Sequence, residues 1–172
     1  VGSIADYRRW ATSQPGVGNA VIIPAQDDTG LVTIVLTDSN GEPANELLCE
    51  QVYNYIMRPD APEERIAPVN ALLSVVPPQR VAVTISAVVE LTDGDLEAAK
   101  QAYMKHLTAY LSNAGAEREV KYSQIYALLA KTAGIHDFKA VLLNGGTDNI
   151  RISELEIPTV SADRIQFTAD EV

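Results

Sequence analysis

The chain has 172 residues (18.6 kDa) and is 47% hydrophobic, enough for one large domain or two small ones and too apolar for global disorder. Twenty-three acidic residues against 13 basic ones give a formal charge of −10 and a pI near 4.5, which disfavours a phosphate backbone as partner and leaves no polybasic run for an anionic membrane surface. The best basic patch is Arg8-Arg9, and two charges are too few to outweigh the acidic excess.

At the N-terminal end, Ser3 has the chemistry of a helix N-cap and Asp6 stands three residues on, in the capping-box position. Ile4, Tyr7, Trp10 and Ala11 then recur on one helical face. Gln14-Pro15-Gly16 ends that helix. Ala20–Pro24 reads as a strand, Gln26–Gly30 as a polar turn, and the β-branched run Leu31–Thr37 as a second strand pairing with the first in an antiparallel hairpin. After the turn cluster Asp38-Ser39-Asn40-Gly41, Pro43 suits the first position of a helix running to about Met57, with Leu48, Val52, Tyr55 and Ile56 as its buried stripe. Arg58–Pro68, with three prolines and two adjacent glutamates, is a solvated loop, and Val69–Val76 is the next strand.

Pro77-Pro78 marks a domain boundary, because two prolines pre-set φ, donate no ladder hydrogen bond and make a stiff joint. Beyond it, Val81–Leu91 is expected as the longest strand, with Val81, Val83, Ile85, Ala87 and Val89 on one face. Thr92-Asp93-Gly94 turns, Asp95 caps, and a helix follows from Leu96 to about Leu111 with the stripe Leu96, Ala99, Tyr103, Leu107, Tyr110 and Leu111. Asn113–Glu119 loops out. Ser123 caps a further helix that buries Ile125, Leu128 and Leu129 and closes at Gly134. Strands over Phe138–Leu143, Ile150–Ile157 and Arg164–Thr168 complete the chain, the first followed by the turn Asn144-Gly145-Gly146. The run from Val32-Thr33-Ile34 to Leu36-Thr37-Asp38, then a helix, echoes that from Val83-Thr84-Ile85 to Leu91-Thr92-Asp93, then a helix.

Reactive chemistry is thin. His106 lies on a helix between Tyr103 and Tyr110 with no carboxylate or nucleophile in reach of sequence, and His136-Asp137 is a neighbouring pair whose side chains point to opposite faces once extended. Cys49 sits between Glu46 and Glu50, which oppose a thiolate, so it reads as a packed or half-exposed thiol. A single cysteine also excludes an internal disulfide and a cysteine-built zinc site, and suits a reducing compartment such as the bacterial cytoplasm. The acidic pairs and triplets, Asp27-Asp28, Glu63-Glu64, Asp93-Gly94-Asp95 and Asp170-Glu171, lack calcium-loop spacing. Gly16-Val17-Gly18 precedes a strand, so it is no phosphate loop. No apolar run approaches the ~20 residues of a membrane-spanning helix. The residues therefore assign no catalytic, cofactor-binding or metal-binding position. With no initiator methionine or signal pattern at Val1-Gly2-Ser3, the sequence is expected to be a fragment that begins in a helix belonging to an upstream domain.

The segment Asp-Tyr-Arg-Arg-Trp-Ala at 6–11, running through Pro-Gly-Val-Gly at 15–18 into a strand, resembles the corresponding junction of the phage baseplate J-like protein family. Gly41-Glu42-Pro43-Ala44, the passage from Ala67-Pro68 through Pro77-Pro78 to Val81-Ala82-Val83, Ser123-Gln124-Ile125-Tyr126 with Gly134-Ile135, and Asn149-Ile150-Arg151-Ile152 with Glu156-Ile157-Pro158 are similar to later segments of that family, from Asp6 to about Thr168. The resemblance implies a C-terminal fragment of a contractile-tail baseplate wedge component, a virion structural protein that links hub to periphery through homo- or hetero-oligomeric contacts and has no associated catalytic residues. Residue patterns and resemblance together set the expected architecture: α+β, with two small mixed domains in tandem at 17–78 and 79–172, and a helical arm at 1–16. Ile4, Tyr7, Arg8, Arg9 and Trp10 are the expected partner-contact residues. The expected setting is a phage, prophage or bacteriocin baseplate assembled in the bacterial host cytoplasm, with other wedge and hub proteins as partners and no nucleic acid. The alternative is a tail-associated or surface module that recognises a glycan or a protein.

Overall fold

A computed structural model describes residues 2–170, so Val1 and Glu171 of the segments named above lie outside the described residues. The fold is α+β and divides into two compact units, Val1–Gln79 and Arg80–Val172.

Unit 1 contains helix α1 (Ile4–Thr12), strands β1 (Val17–Ile23) and β2 (Leu31–Asp38), helix α2 (Glu46–Met57) and strand β3 (Leu72–Val76). The sheet order is β1-β2-β3. The apolar, β-branched runs of β1 and β2 form the expected antiparallel hairpin, and α2 carries the chain across so that β3 lies parallel to β2. Alternation decides what is buried. Ala20, Ile22, Ile34, Leu36 and Leu73 share one face and pack with Tyr7 and Ala11 of α1 and with Cys49, Val52, Ile56 and Met57 of α2.

Helix α2 starts three residues later than Pro43 suggested. Pro43 is held in a bridge with Thr37, the Ala44 N–H donates to the Leu36 carbonyl, and the Asn45 side chain caps the helix by accepting from the Leu48 N–H at 2.8 Å. The helix therefore rotates its buried stripe onto Cys49, Val52, Ile56 and Met57, leaving Leu48 and Tyr55 at the margin. The third strand is also shorter than expected: Val69 is 87% exposed, and pairing begins at Leu72.

Unit 2 contains strands β4 (Gln79–Ala82) and β5 (Ile85–Leu91), helix α3 (Leu96–Glu117), strand β6 (Glu119–Val120), helix α4 (Tyr122–Lys131), and strands β7 (Ile135–Leu143), β8 (Ile150–Arg151), β9 (Glu156–Thr159) and β10 (Ile165–Ala169). The central sheet runs β10-β5-β7, with β5 parallel to β10 and antiparallel to β7, and β4-β9 and β6-β8 form two small ribbons. Val83, Ile85, Ala87 and Val89 line the core with Tyr103, Leu107, Leu111 and Ala114 of α3 and Ile125 and Leu129 of α4.

Several boundaries differ from the sequence reading. The strand expected over Val81–Leu91 is two strands in different sheets, and the nine-residue β7 is the longest of the described strands. A side chain sixty residues away fixes the break. Asn144 accepts from the Thr84 N–H at 2.7 Å through Oδ1 and donates from Nδ2 to the Ala82 carbonyl at 3.1 Å, while the Val83 N–H donates to the Thr159 carbonyl. Helix α3 runs on to Glu117 because Ala114 continues the buried stripe and the polar residues from Asn113 onward fall on the open side. Helix α4 opens at Lys121, not Ser123. The Tyr122 N–H finds its acceptor in Asn149 Oδ1 at 2.8 Å, so a distant side chain does the work of a local cap. The segment expected as one strand from Ile150 to Ile157 is split into β8 and β9.

Asn144 adopts a left-handed backbone (φ 48°) in addition to bridging the two strands. Replacing it by alanine removes both hydrogen bonds and leaves a Cβ residue in a region unfavourable to alanine, a loss of about 2–3 kcal/mol. Asn144→Gly restores the backbone freedom and recovers about 1 kcal/mol of that. Urea midpoints of the two variants check the order: wild type, then Gly, then Ala.

Candidate functional site

Nine residues are below the ~12–15 that an isolated helix needs in water, so α1 depends on its caps and on what it packs against. The capping box is complete: the Asp6 N–H donates to Ser3 Oγ at 3.2 Å and the Ser3 N–H donates to Asp6 Oδ2 at 3.0 Å. Arg9 Nη2 donates to Asp6 Oδ1 at 2.8 Å. Packing supplies the rest. Tyr7 is 2% exposed and Ala11 is fully buried in the core of unit 1, and the Tyr7 ring meets Trp10 edge-on at 5.1 Å.

The five expected contact residues therefore divide. Tyr7 is a core anchor and Trp10 is half-buried against the same core, so neither the ring of Tyr7 nor most of Trp10 is open to a partner. Ile4 (44% exposed), Arg8 and Arg9 face outward, with Ile4 and Arg8 one turn apart on one stripe. Helix α1 lies in unit 1 and is capped at Ser3.

The Pro-Gly-Val-Gly segment after α1 has a packing explanation for each glycine. Gly16 has φ +89°, and its carbonyl accepts from the Ser39 N–H at 3.0 Å. Gly18 sits at the register shift between β1 and β2, where an added Cβ would come within 2.1 Å of the Asp38 carbonyl oxygen. The motif is a docking geometry for the first strand.

Side chains with catalytic potential are scattered. His106 on α3 and His136 on β7 are both exposed. Cys49 is buried, and loss of hydration raises its thiol above the ordinary range. Among the described residues no group of three or more His, Cys, Asp or Glu is arranged to hold a metal ion, and no helix is long and apolar enough to cross a membrane. Buried polar groups serve the backbone: Tyr103 OH donates to the Ile125 carbonyl at 3.1 Å, and burial pushes that phenol well up.

One cluster was not read from the sequence, in which the tyrosines look scattered. Tyr122, Tyr126 and Phe138 form an aromatic row with centroid separations of 6.4 and 4.9 Å. The i, i+4 spacing of the two tyrosines on α4 was a readable signal, but Phe138 joins them only through tertiary packing. Phe138 and Tyr122 pack on the unit 2 core and Tyr122 OH donates to the Val141 carbonyl at 2.8 Å, so Tyr126 (48% exposed) is the open ring of the three.

The two α+β units correspond to the two domains of one known family. A baseplate J-like central domain matches residues 1–77, and a baseplate J-like protein C-terminal domain matches residues 83–163. The chain belongs to the baseplate J-like family. The phage-like element PBSX protein XkdT of Bacillus subtilis is 30% identical over 161 residues, covering 92% of this chain and 46% of that protein. The uncharacterized protein YqbT of the same organism is 30% identical over 156 residues, covering 90% and 45%. The chain thus spans about half the length of these curated relatives. A chain in the cryo-EM structure of the anti-feeding prophage (AFP) baseplate shares the fold at a TM-score of 0.62 and 12% identity, with 93% of this chain and 37% of that chain covered.

Hydrogen bonds from the Ser3 N–H and hydroxyl, with Arg9 beside them, hold the Asp6 carboxyl down at about 2, below its ordinary 3.8. Because the folded value is depressed, the stabilising contribution is present above the ordinary carboxylate range and is lost as pH falls toward 2. A carbon-detected NMR titration is expected to show Asp6 ionised at pH 3, and Asp6→Asn to abolish this component of the acid sensitivity of α1.

Proposed function

We propose that this chain is a structural component of a contractile-tail baseplate and works through protein–protein contacts. The observation that carries this reading is the tandem match of a baseplate J-like central and C-terminal domain to nearly the whole chain. The family resemblance and the phage-like-element relative point to the wedge of a phage, prophage or related particle, with other wedge or hub proteins as partners and assembly in the bacterial host cytoplasm. The side-chain chemistry is in keeping with a non-enzymatic role: the histidines are exposed and lie on different elements, and the Tyr103 and Tyr122 hydroxyls are bonded to carbonyls.

On this reading the outward stripe of α1 is one contact surface. Unit 1 contains four arginines (Arg8, Arg9, Arg58, Arg65) and no lysine against ten carboxylates, so Arg8 and Arg9 make a local positive spot on an otherwise acidic body. Ile4 adds an apolar contact beside it. A partner that meets this stripe offers carboxylates around a small apolar recess. The alternative of a glycan-recognising module is less well supported, because one open ring at Tyr126 is a poor stacking platform.

The test is particle composition. Tail particles purified from cells carrying the full-length protein are expected to contain it at the baseplate end by immunogold labelling. The double variant Arg8→Glu, Arg9→Glu is expected to fold normally, with incorporation reduced about ten-fold, the size of a roughly 1.4 kcal/mol loss in contact energy. Particles that lack the wild-type protein would refute the baseplate reading; undiminished incorporation of the double variant would refute the role of this stripe.

A further inference from the structure

The edge strands of the two central sheets are protected to different degrees. β1 bends away at its register shift, where Gly18 is pressed against Asp38. β7 carries Asp137 and Lys139 and is bulged at Ala140, whose φ is 53°. β10 has polar Gln166 and Thr168 on its outer face and is followed by Asp170, which pairs with Lys139 at 3.3 Å. Charges and bulges of this kind are how sheets keep other chains off their edges. β3 has none of them. Its sequence is Leu-Leu-Ser-Val-Val, and the sheet ends with it.

Backbone geometry leaves this edge open. β3 is parallel to β2, and the Leu72 N–H donates inward to the Gly30 carbonyl at 3.1 Å. Alternation along a parallel ladder then directs the amides and carbonyls of Leu73 and Val75 outward. Most side chains beside the edge are apolar as well, with Ser74 between Leu72 and Val76. Leu72 (53% exposed) pairs in register with Leu31 (41% exposed) on the face away from α1 and α2, and Val76 continues that face. The matching face of unit 2 is mixed: Val88 and Leu142 share it with Ser86, Glu90, Asp137, Lys139, Gln166 and Thr168, so polar and charged positions predominate there.

We propose that the outer edge of β3 receives an extended segment of a different baseplate chain as an added strand, with apolar residues over Leu31 and Leu72 and Lys or Arg where it passes Asp27 and Asp28. This rests on the baseplate reading above and names the mode of contact. Charge selects the occupant. The hairpin loop holding Asp27 and Asp28 adjoins the start of β3, since Gly30 lies against Asn70 and accepts from Leu72. A second copy of this chain would bring a body of formal charge −10 to this acidic end of the edge, which like-charge repulsion disfavours.

The experiment is hydrogen exchange by mass spectrometry on the full-length protein, free and within purified tail particles. Exchange over residues 71–78 is expected to slow at least ten-fold on incorporation. Leu72→Lys is expected to keep the circular dichroism and melting temperature of the free protein but lose incorporation at least ten-fold, whereas Leu72→Val incorporates normally. Should Leu72→Lys fail to fold, the wild-type exchange comparison decides alone. Particles that contain the protein but leave 71–78 exchanging as in the free state overturn the added strand and spare the baseplate role; particles without the protein overturn both. Protection already present in the free protein, together with a dimer in sedimentation, would make a second copy the occupant and overturn the assignment to another chain.

Discussion

Both units depend on burying one face of a three-stranded sheet beneath two helices. In unit 1 that layer joins Ala20, Ile22, Ile34 and Leu36 to Tyr7, Ala11, Val52 and Ile56; in unit 2 it joins Ile85, Ala87 and Val89 to Tyr103, Leu107, Ile125 and Leu129. Each fully buried large apolar side chain contributes about 1.5–3 kcal/mol, which outweighs individual caps and surface ion pairs. The nine-residue α1 exists on these terms, as a short helix tied down by two side chains. The central strands share a plan too: β2 and β5 each have one parallel and one antiparallel neighbour and each is followed by a helix. The echoing residues do not occupy equivalent places, since Val32-Thr33-Ile34 lies within β2 whereas Val83-Thr84 falls at the break before β5.

Where the units part company is the opposite sheet face. Unit 2 mixes hydroxyls, amides and charges with Val88 and Leu142 there, whereas unit 1 places Val21, Ile23, Leu31, Leu72, Val76 and the buried Val35 among Asn19, Thr33, Thr37 and Ser74, beside an uncharged edge. A face of that composition suits an assembled state better than an isolated one.

Polar side chains in this molecule are mostly fasteners. Asn144 fixes the break between β4 and β5, Asn149 satisfies the start of α4, and Tyr110 accepts from the Lys121 N–H at 2.9 Å. A group that is committed to a backbone partner is poorly placed to move protons or attack a substrate. The same bonding fixes the local backbone of each unit.

Local chemistry made much of this legible in advance. The Ser3–Asp6 capping box, the β1–β2 hairpin, the Asp95 cap and the alternation of Ile85, Ala87 and Val89 are short-range features, set within a few residues by capping geometry or by a period of two. Ile4 and Tyr7 were read on one helical face, yet Tyr7 turns into the core and Ile4 stays exposed, because an apolar stripe says that something is covered without saying what covers it. The sequence by itself thus determined the class of fold, the positions of most elements and the family. Only tertiary structure decided that Val81–Leu91 breaks at Val83-Thr84, that Pro43 is drawn into a bridge so that Asn45 caps α2, that Asn149 replaces Ser123 at the start of α4, and that β3 is the last described strand of its sheet. The reason is physical: the break at Thr84 and the start at Tyr122 depend on asparagines 27 to 62 residues away, and periodicity carries no information about which distant group will arrive.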